Sequence, residues 1–179
     1  MKRRAVFLDR DGVLVETLVR GDRAYAPVSL EEFRIVGDAA AQLGRLRGAG
    51  LVPIVITNQP EVGRGLISPA VLEEMHRRLR AAAPVDDIFV CPHPVDGVCE
   101  CRKPRPGMLR DAAARWDIDL TRSFVIGDRW RDIDAGRAVG CFTVLLDRPY
   151  SDCPAPDARA DDLGGATDTV LRVLEGQTG

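Results

Sequence analysis

Two aspartates, Asp9 and Asp11, lie two residues apart directly after the apolar segment AVFL. In an extended chain this spacing points both carboxylates to the same side, and Gly12 allows a sharp bend behind them. Carboxylates this close repel each other unless a cation neutralises them or one of them is protonated. Asp128, which follows the apolar segment SFVIG, would complete an all-oxygen set suited to Mg²⁺. A lone Asp-x-Asp-Gly could equally be a polar turn or a helix cap, but the three residues together predict a magnesium site.

The rest of the chain narrows the chemistry of this site. There are only two histidines and no G-x-S-x-G segment, so hydrolysis by a Ser-His-Asp triad lacks its residues. His76 falls in a predicted amphipathic helix, where a surface or packing role is the better interpretation. A carboxylate nucleophile needs no activating base because it is already ionised at neutral pH. Phosphoryl transfer mainly needs positioning and charge neutralisation, which Mg²⁺, Lys103 and the backbone N–H groups after Asp9 could supply.

A second cluster combines three cysteines with the other histidine. Its spacing is C-x-H-x5-C-x-C within eleven residues, and its members are Cys91, His93, Cys99 and Cys101. Three sulfurs and one imidazole suit a closed tetrahedral Zn²⁺ site that leaves no position open for catalysis. A disulfide between Cys99 and Cys101 would close a strained ring, and a chance grouping of free thiols is the other alternative. The cluster predicts a structural zinc loop at about 91–105 that aims Arg102 and Lys103 at a phosphate.

The elements that position these residues alternate between strands and helices. Short apolar segments end at Asp9, at Thr57 and at Asp128, and each is typical of a buried parallel strand. Helices are predicted at residues 38–49, 68–82, 106–116, 132–139 and 167–175, with further strands at 87–91 and 141–146 and long loops at 15–32 and 92–106. The alternation predicts an α/β fold with a doubly wound parallel sheet, in which ligands bind beyond the carboxyl ends of the strands. All three polar strand ends then belong to one site.

The length and the net charge of the chain limit the number of domains and the kinds of partner that we expect. The chain suits a single domain, residues 1–179, and no segment is long enough to form a large cap domain. A net charge of -2 gives no electrostatic reason to expect a nucleic-acid or membrane partner. The basic start MKRRAVFLDRDG lacks the long apolar run of a signal peptide. The sequence thus predicts a cytoplasmic protein, in which cysteines are more readily metal ligands or free thiols than disulfides. Cys141 and Cys153 are interpreted as a buried strand residue and a loop thiol.

Four segments in order, FLDRDG, VITN, CRKP and GDRWRD, resemble the motifs of the haloacid dehalogenase superfamily of phosphatases. The resemblance implies a Rossmann-like sheet and a reaction in which Asp9 attacks phosphorus and becomes an aspartyl-phosphate. Asp11 would protonate the leaving oxygen and then act as base for the hydrolytic water. Thr57 and Lys103 would hold phosphate oxygens. Mg²⁺ would be bound by Asp9, by the backbone carbonyl of Asp11 and by Asp128.

The zinc loop narrows the resemblance. Together with TNQPEVGRG and GDRWRDIDAG, the segment CPH-x5-C-x-CRKPRPGM is similar to one branch of the superfamily, which lacks a large cap. This branch contains D-glycero-D-manno-heptose 1,7-bisphosphate 7-phosphatases and histidinol-phosphate phosphatases. The heptose enzymes imply a cytoplasmic monomer that removes the 7-phosphate in the synthesis of nucleotide-activated heptose. The implied substrate contacts are Asn58, Gln59, Arg102 and Lys103, with Arg129 for the second phosphate. Asp132 is implied to support the magnesium ligands rather than to be one.

The choice of substrate depends on segments that depart from this branch. The extra segment VRGD lengthens the loop at 15–32, and Pro60-Glu61 replaces the small residues that often follow TNQ. Both would lie beside the sugar. A bisphosphate carries more negative charge than histidinol phosphate, and the basic residues expected near the mouth favour it, although they could be ordinary surface residues. They are Arg20, Arg23, Arg64, Arg102, Lys103, Arg105 and Arg129.

Three other classes fit the residues less well. A signalling receiver domain shares the fold type, the acidic cluster, a threonine and a lysine, but it carries its phosphoacceptor after the third strand and has no zinc site. A polynucleotide 3'-phosphatase shares the DxDG and TN motifs, but the basic patch it needs is missing. A zinc-binding interaction module would leave Asp9, Asp11 and Asp128 without a role.

Overall fold

The computed structural model describes residues 2–21, 23–94, 99–151 and 155–176. The strands are β1 (Arg4–Leu8), β2 (Leu18–Arg20), β3 (Arg23–Tyr25), β4 (Leu51–Asn58), β5 (Asp87–Cys91), β6 (Phe124–Gly127), β7 (Phe142–Leu146) and β8 (Ala158–Ala160). The helices are α1 (Ala39–Gly48), α2 (Pro60–Gly63), α3 (Pro69–Ala82), α4 (Gly107–Trp116), α5 (Trp130–Arg137) and α6 (Leu163–Gly176), and a 3-10 turn covers Leu120–Arg122. Six strands form a parallel sheet in the order β5-β4-β1-β6-β7-β8. The predicted α/β fold with a parallel sheet is confirmed.

Helices cover both faces of this sheet, and the pleat of β1 shows how. Val6 and Leu8 pack into the apolar layer that includes residues of α1, α3 and α6. Ala5 and Phe7, which point the other way, pack into the layer that includes residues of α4. All four side chains are fully buried. Because both faces are covered, the ends of the strands are the part of the sheet left for a ligand.

Local capping explains where two helices begin. α3 starts as predicted, since the Ser68 side chain accepts a hydrogen bond from the Val71 backbone N–H at 3.2 Å. α5 starts at Trp130, two residues before the predicted position. The Asp132 carboxylate accepts from the Arg129 backbone N–H at 3.1 Å, so Asp132 caps the helix from inside its first turn rather than beginning it.

Several short elements escaped the sequence prediction. Residues 15–32, predicted as a loop, contain the antiparallel hairpin β2–β3, in which Leu18 pairs with Tyr25 and Gly21 turns with a φ of 62°. The short helix α2 and the strand β8 were not predicted either, and α6 begins at Leu163 rather than at 167. Three-residue strands are too short to show an alternating pattern in the sequence. Within the described residues, this hairpin takes the place of a large cap.

Two further observations concern the chain as a whole. None of the helices in the described ranges is both long enough and apolar enough to cross a membrane. Cys141 is buried next to β7, as predicted, whereas Cys153 lies outside the described residues.

The bulkiest fully buried side chain belongs to Arg10. Its Nη1 lies 3.3 Å from His76 Nε2, and its guanidinium lies 5.7 Å from the centroid of the Phe33 ring. His76 is itself only 3% exposed. Burial, followed by the charges of Arg10 and Arg80, lowers the pKa of His76 from 6.5 to about 3. The imidazole is therefore neutral in the folded chain at neutral pH.

Acid should destabilise the fold through His76. The unfolded imidazole takes up a proton near pH 6.5 and the folded one only near pH 3, so stability is lost as the pH falls between these values. We expect the wild-type protein to lose about 1–2 kcal/mol more than His76→Gln between pH 7.5 and pH 5. Urea unfolding of both proteins at the two pH values measures the difference. An equal loss in both would contradict this assignment.

Candidate active site

The predicted motifs meet at one edge of the sheet because their strands are neighbours. β1 lies between β4 and β6, so Asp9, Thr57 and Asp128 stand at the ends of adjacent strands. The Asp9 backbone N–H donates to the Ile126 carbonyl at 3.0 Å, which holds the nucleophile candidate against β6. Gly12 follows with a φ of 91°. A Cβ on Gly12 would lie 2.0 Å from Asp128 Oδ2, so the absence of a side chain lets the two loops approach this closely.

Lys103 is the positive centre of the site. Its Nζ lies 3.0 Å from Asp9 Oδ1 and 2.6 Å from Asp132 Oδ1, and it donates to the Ile56 carbonyl at 2.8 Å. The side chain is 3% exposed. Burial acts to lower the pKa of Lys103, but the charges of Asp132 and Asp9 raise it above its ordinary value, so the ammonium stays charged. The carboxylate that follows β1 and one from the first turn of α5 are thereby tied to one cation.

Three carboxylates enclose a space of the size that a metal ion needs. One oxygen each of Asp9, Asp128 and Asp132 lies within 4.8 Å of the others. Both oxygens of Asp128 are buried, and neither accepts a hydrogen bond of good geometry from the described residues, although the nearby Tyr150 hydroxyl acts to lower the pKa of this carboxyl. Burial, and after it the charge of Asp132, raises the pKa of Asp128 to about 6 and that of Asp9 well above its ordinary value. Because a buried carboxylate without hydrogen bonds is costly, the Asp128 carboxylate, with Asp9 beside it, fits a hard divalent cation.

The Asp11 carboxylate has different partners. Arg10 binds both of its oxygens, Nε to Oδ1 and Nη2 to Oδ2, at 3.0 Å each. Gln59 Nε2 also donates to Oδ2, at 2.7 Å. The side chain is 12% exposed and lines the cavity described below. A bidentate arginine pair fixes the orientation of a carboxylate, so Arg10 and Gln59 set the position of the predicted acid.

The residues at the end of β4 hold neighbouring parts of the site in place through buried hydrogen bonds. Thr57 is fully buried, and its Oγ1 accepts from Gln59 Nε2 at 2.8 Å. Asn58 brackets the backbone of Lys103: Nδ2 donates to the carbonyl and Oδ1 accepts from the N–H, both at 3.1 Å. Gln59 is 1% exposed, and its Oε1 accepts from Arg10 at 2.9 Å. Of the three, only Asn58 lines the cavity, so this arrangement uses Thr57 and Gln59 as internal supports.

A cavity of about 160 Å³ lies between the acidic cluster and the hairpin β2–β3, which contributes Ala24 and Tyr25 to its wall. Three arginines also line it. Arg102 and Arg129 were predicted to contact substrate. Arg131 was missed, although it stands in the same GDRWRD segment, two residues after Arg129. Three guanidinium groups beside the carboxylate cluster make the cavity suitable for an anion with more than one charged group.

The other arginines predicted near the mouth lie elsewhere. Arg20 and Arg64 line a neighbouring groove of about 210 Å³ that shares Tyr25 with the cavity. Arg105 donates to the Cys99 carbonyl, and Arg23 lines neither space. These four arginines therefore do not line the cavity itself.

The cysteine cluster is assembled in the way the spacing predicts. Cys91 Sγ lies 3.5 Å from His93 Nδ1 and 3.6 Å from Cys99 Sγ. His93 Nδ1 lies 3.2 Å from Cys101 Sγ, and all four ligand atoms lie within 4.8 Å of one another. A tetrahedral ion with Zn–S bonds of about 2.3 Å places its sulfurs about 3.8 Å apart, so the spacing fits zinc. Burial, and after it the neighbouring thiols, raises the pKa of Cys101 to about 12. Residues 95–98 of the predicted zinc loop lie outside the described residues.

Comparisons with known proteins agree with this geometry. Residues 100–166 match the HAD-hydrolase-like family model. The D-glycero-beta-D-manno-heptose-1,7-bisphosphate 7-phosphatase of Rhodopseudomonas palustris is 38% identical over 78% of this chain and 81% of that protein. The chain belongs to the heptose-bisphosphate phosphatase family. A second member, the D-glycero-D-manno-heptose-1,7-bisphosphate 7-phosphatase of Thermosynechococcus vestitus, is 33% identical over 97% of this chain and 98% of that protein.

A solved structure of the family has the same fold. The D,D-heptose 1,7-bisphosphate phosphatase from B. bronchiseptica, complexed with magnesium and phosphate, has a TM-score of 0.81 and 31% identity. The match covers 95% of this chain and 99% of that one. The membership in the haloacid dehalogenase superfamily that the four motifs predicted is therefore confirmed.

Gly12→Ala should disrupt the acidic cluster, because the added Cβ overlaps the Asp128 carboxylate. We expect its affinity for Mg²⁺ to fall at least about tenfold, which corresponds to about 1.4 kcal/mol. Isothermal titration calorimetry measures the affinity, with circular dichroism to confirm folding. Gly21→Ala is the matched control: its φ is also positive, at 62°, but no atom lies within 4 Å of the new Cβ. Unchanged Mg²⁺ affinity in Gly12→Ala would contradict the geometry of the cluster.

Proposed function

We propose that this protein hydrolyses the 7-phosphate of D-glycero-D-manno-heptose 1,7-bisphosphate through an aspartyl-phosphate on Asp9. One observation carries the proposal: Asp9 lies 3.0 Å from the buried ammonium of Lys103, at a cavity that three arginines line. The relatives, which are heptose-bisphosphate phosphatases, support the choice of substrate. Histidinol phosphate has no second phosphate for these arginines, so it is the weaker candidate.

Asp9 is proposed as the nucleophile. Its Oδ1 contacts Lys103 and accepts from the Arg10 backbone N–H at 2.7 Å, so Oδ2 is the oxygen available for attack. The bond from Oδ2 to phosphorus forms as the bond from phosphorus to the sugar oxygen breaks. The Lys103 ammonium neutralises charge on the phosphate during this transfer.

Asp11 is proposed as the acid and base. In its protonated form it gives its proton to the sugar oxygen as that oxygen leaves. The resulting carboxylate then takes a proton from the water that hydrolyses the aspartyl-phosphate, which restores the acid. In the present arrangement both of its oxygens are bonded to Arg10, and one is also bonded to Gln59. The carboxylate must therefore give up one of these bonds to reach the leaving oxygen.

A magnesium ion is proposed at Asp9, Asp128 and the backbone carbonyl of Asp11. The magnesium complex of the B. bronchiseptica relative and the two buried Asp128 oxygens without hydrogen bonds support this. When bound, Mg²⁺ supplies charge neutralisation for the phosphate. Asp132 is proposed as a support for Lys103 rather than a ligand, since its oxygens are used by Lys103 and by the Arg129 backbone N–H.

A structural zinc ion is proposed in the cysteine cluster. Arg102 and Lys103 follow Cys101 directly, and Arg102 Nη1 donates to the His93 carbonyl at 3.2 Å. A bound Zn²⁺ would fix this loop, so its binding free energy would become local folding free energy. The ion would thereby aim Lys103 at Asp9.

The substrate is proposed to place its second phosphate beside the arginines. Arg102, Arg129 and Arg131 line the same cavity as Asp9, and we assign the phosphate on C1 to Arg129. A phosphorylated sugar is the proposed partner. We also propose that the protein acts as a cytoplasmic monomer, as the resemblance implied.

Asp9→Asn should abolish turnover, because an amide is a poor nucleophile. We expect phosphate release to fall at least about a thousandfold. The assay compares both anomers of the heptose bisphosphate with histidinol phosphate, with and without Mg²⁺. The control is Asp117→Asn, at an exposed position with a φ of 50° that asparagine also tolerates. Wild-type turnover in Asp9→Asn would refute the nucleophile, and a preference for histidinol phosphate would refute the substrate.

Cys99→Ser should weaken zinc binding and loosen the loop that carries Lys103. We expect the wild-type protein to contain about one zinc ion per chain. The variant should contain less zinc and should show a several-fold higher KM while it remains folded. Elemental analysis and steady-state kinetics measure the two effects. The control is Cys141→Ala, which removes a buried thiol outside the cluster. Unchanged kinetics in a zinc-free protein that still holds Mg²⁺ would contradict the proposal.

A further inference from the structure

A short segment after β7 joins two catalytic loops. Residues 148–151, called the strap below, form a turn in which the Ser151 backbone N–H donates to the Arg148 carbonyl at 2.9 Å. Arg148 Nη2 donates to the Gly12 carbonyl at 3.3 Å, and Ser151 Oγ donates to the Asp128 carbonyl at 2.8 Å. The strap thus contacts both loops that supply the acidic cluster.

Tyr150 connects the strap to Arg129 and to the hairpin. The guanidinium of Arg129 lies 4.3 Å from the centroid of its ring. The Tyr150 hydroxyl lies 3.2 Å from Thr17 Oγ1, at the start of the hairpin that walls the cavity. On its other side Arg129 Nη2 donates to the Ala24 carbonyl at 3.3 Å. Arg129 is therefore held by an aromatic ring and by the hairpin at once.

These contacts leave one part of the guanidinium available for a ligand. Arg129 Nη1 donates no hydrogen bond to any residue in the described part of the chain, and Arg129 lines the cavity with Asp9. Arg131 also has an aromatic neighbour, but its guanidinium lies 5.9 Å from the Trp130 ring centroid, near the limit of a cation–π contact. Arg129 is the better supported of the two.

We propose that Tyr150 is a positioning residue that selects for a bisphosphate substrate. Its ring holds the plane of Arg129 in the orientation that receives the phosphate not attacked by Asp9. This inference rests on the proposed function, which supplies the second phosphate. A free arginine side chain would lose rotamer freedom when it binds an anion, and a side chain that is already held loses less. The Tyr150 ring therefore acts on the affinity for the second phosphate, separately from the contacts of the strap with the loops of Gly12 and Asp128.

The test compares two substrates that differ only in the distal phosphate. These are the heptose 1,7-bisphosphate and the heptose 7-phosphate. We expect Tyr150→Leu to raise KM for the bisphosphate by about threefold to thirtyfold, the range of a cation–π contact. The reference is Tyr150→Phe, which lacks the same hydroxyl. Relative to it, the expected kcat for the bisphosphate and kcat/KM for the 7-phosphate stay within about twofold, because neither depends on Arg129 in this proposal.

Tyr150→Phe separates the ring from the hydroxyl. It keeps the surface under Arg129 and loses the hydroxyl, which lies 3.2 Å from Thr17 Oγ1 and also interacts with the Asp128 carboxylate. We expect wild-type KM values for both substrates, and any effect of the lost hydroxyl should lower kcat equally for both. If Tyr150→Leu is unstable, Tyr150→Met fills a similar space without an aromatic ring, and thermal melting of every variant verifies folding. The same kinetics in the Arg129→Ala background provide a double-mutant cycle, in which removal of the ring should have no further effect.

Three outcomes would overturn the role of Tyr150. They are an equal rise in KM for both substrates, a rise in KM in Tyr150→Phe that matches the rise in Tyr150→Leu, and rises in KM that add to the effect of Arg129→Ala. If the wild-type protein prefers the bisphosphate and Tyr150→Leu keeps that preference, this inference alone is refuted. A wild-type protein without that preference would refute the proposed substrate as well.

Discussion

A buried ammonium between two carboxylates governs the catalytic edge of this protein. Lys103 Nζ lies 3.0 Å from Asp9 and 2.6 Å from Asp132, with almost no exposure to water. Each of these charges alone would be costly to bury, whereas together they attract each other more strongly than they would at the surface. The three groups are therefore stable only as a set. The position of Asp9, the proposed nucleophile, depends on a lysine that comes from a different loop.

Much of the surrounding structure brings that lysine to Asp9. Lys103 belongs to the loop after the edge strand β5, whereas Asp9 follows β1, and β4 lies between them. The lysine side chain reaches across the end of β4, where Nζ donates to the Ile56 carbonyl. Asn58, also in β4, holds the Lys103 backbone from both sides. The zinc ion proposed in the cysteine cluster immediately before Lys103 would restrain the same loop, so that Asn58 and the metal would together determine where one ammonium lies.

The parts that the sequence could predict are those that local chemistry decides. A buried apolar segment that stops at a polar residue predicts a strand end, and a parallel sheet then brings Asp9, Thr57 and Asp128 together. The cysteine spacing likewise determined its own geometry, because four ligands within eleven residues have few ways to meet. Parallel strand pairing and short ligand spacing therefore determine these two arrangements almost without contacts from distant residues.

The parts that could not be predicted depend on contacts between distant residues. The spacing of Asp9 and Asp11 says nothing of the role of Arg10, which is fully buried and binds Asp11 and Gln59. Gln59 is predicted to contact substrate, and its side chain lies in this internal network. The contact between Arg129 and Tyr150 joins residues that no periodicity relates. Such arrangements become visible only when the strand order and the loop conformations are known.

The strand order has a consequence for how such an enzyme can diversify. β1 is third in a row of six strands, so the backbone that carries Asp9 is paired on both sides. The hairpin and the strap, which surround the cavity, lie outside that sheet. Mutations there can reshape the wall of the cavity without altering the pairing that fixes the nucleophile. During evolution the reaction can therefore be kept while the substrate changes. A protein engineer can likewise alter substrate choice without altering the reaction.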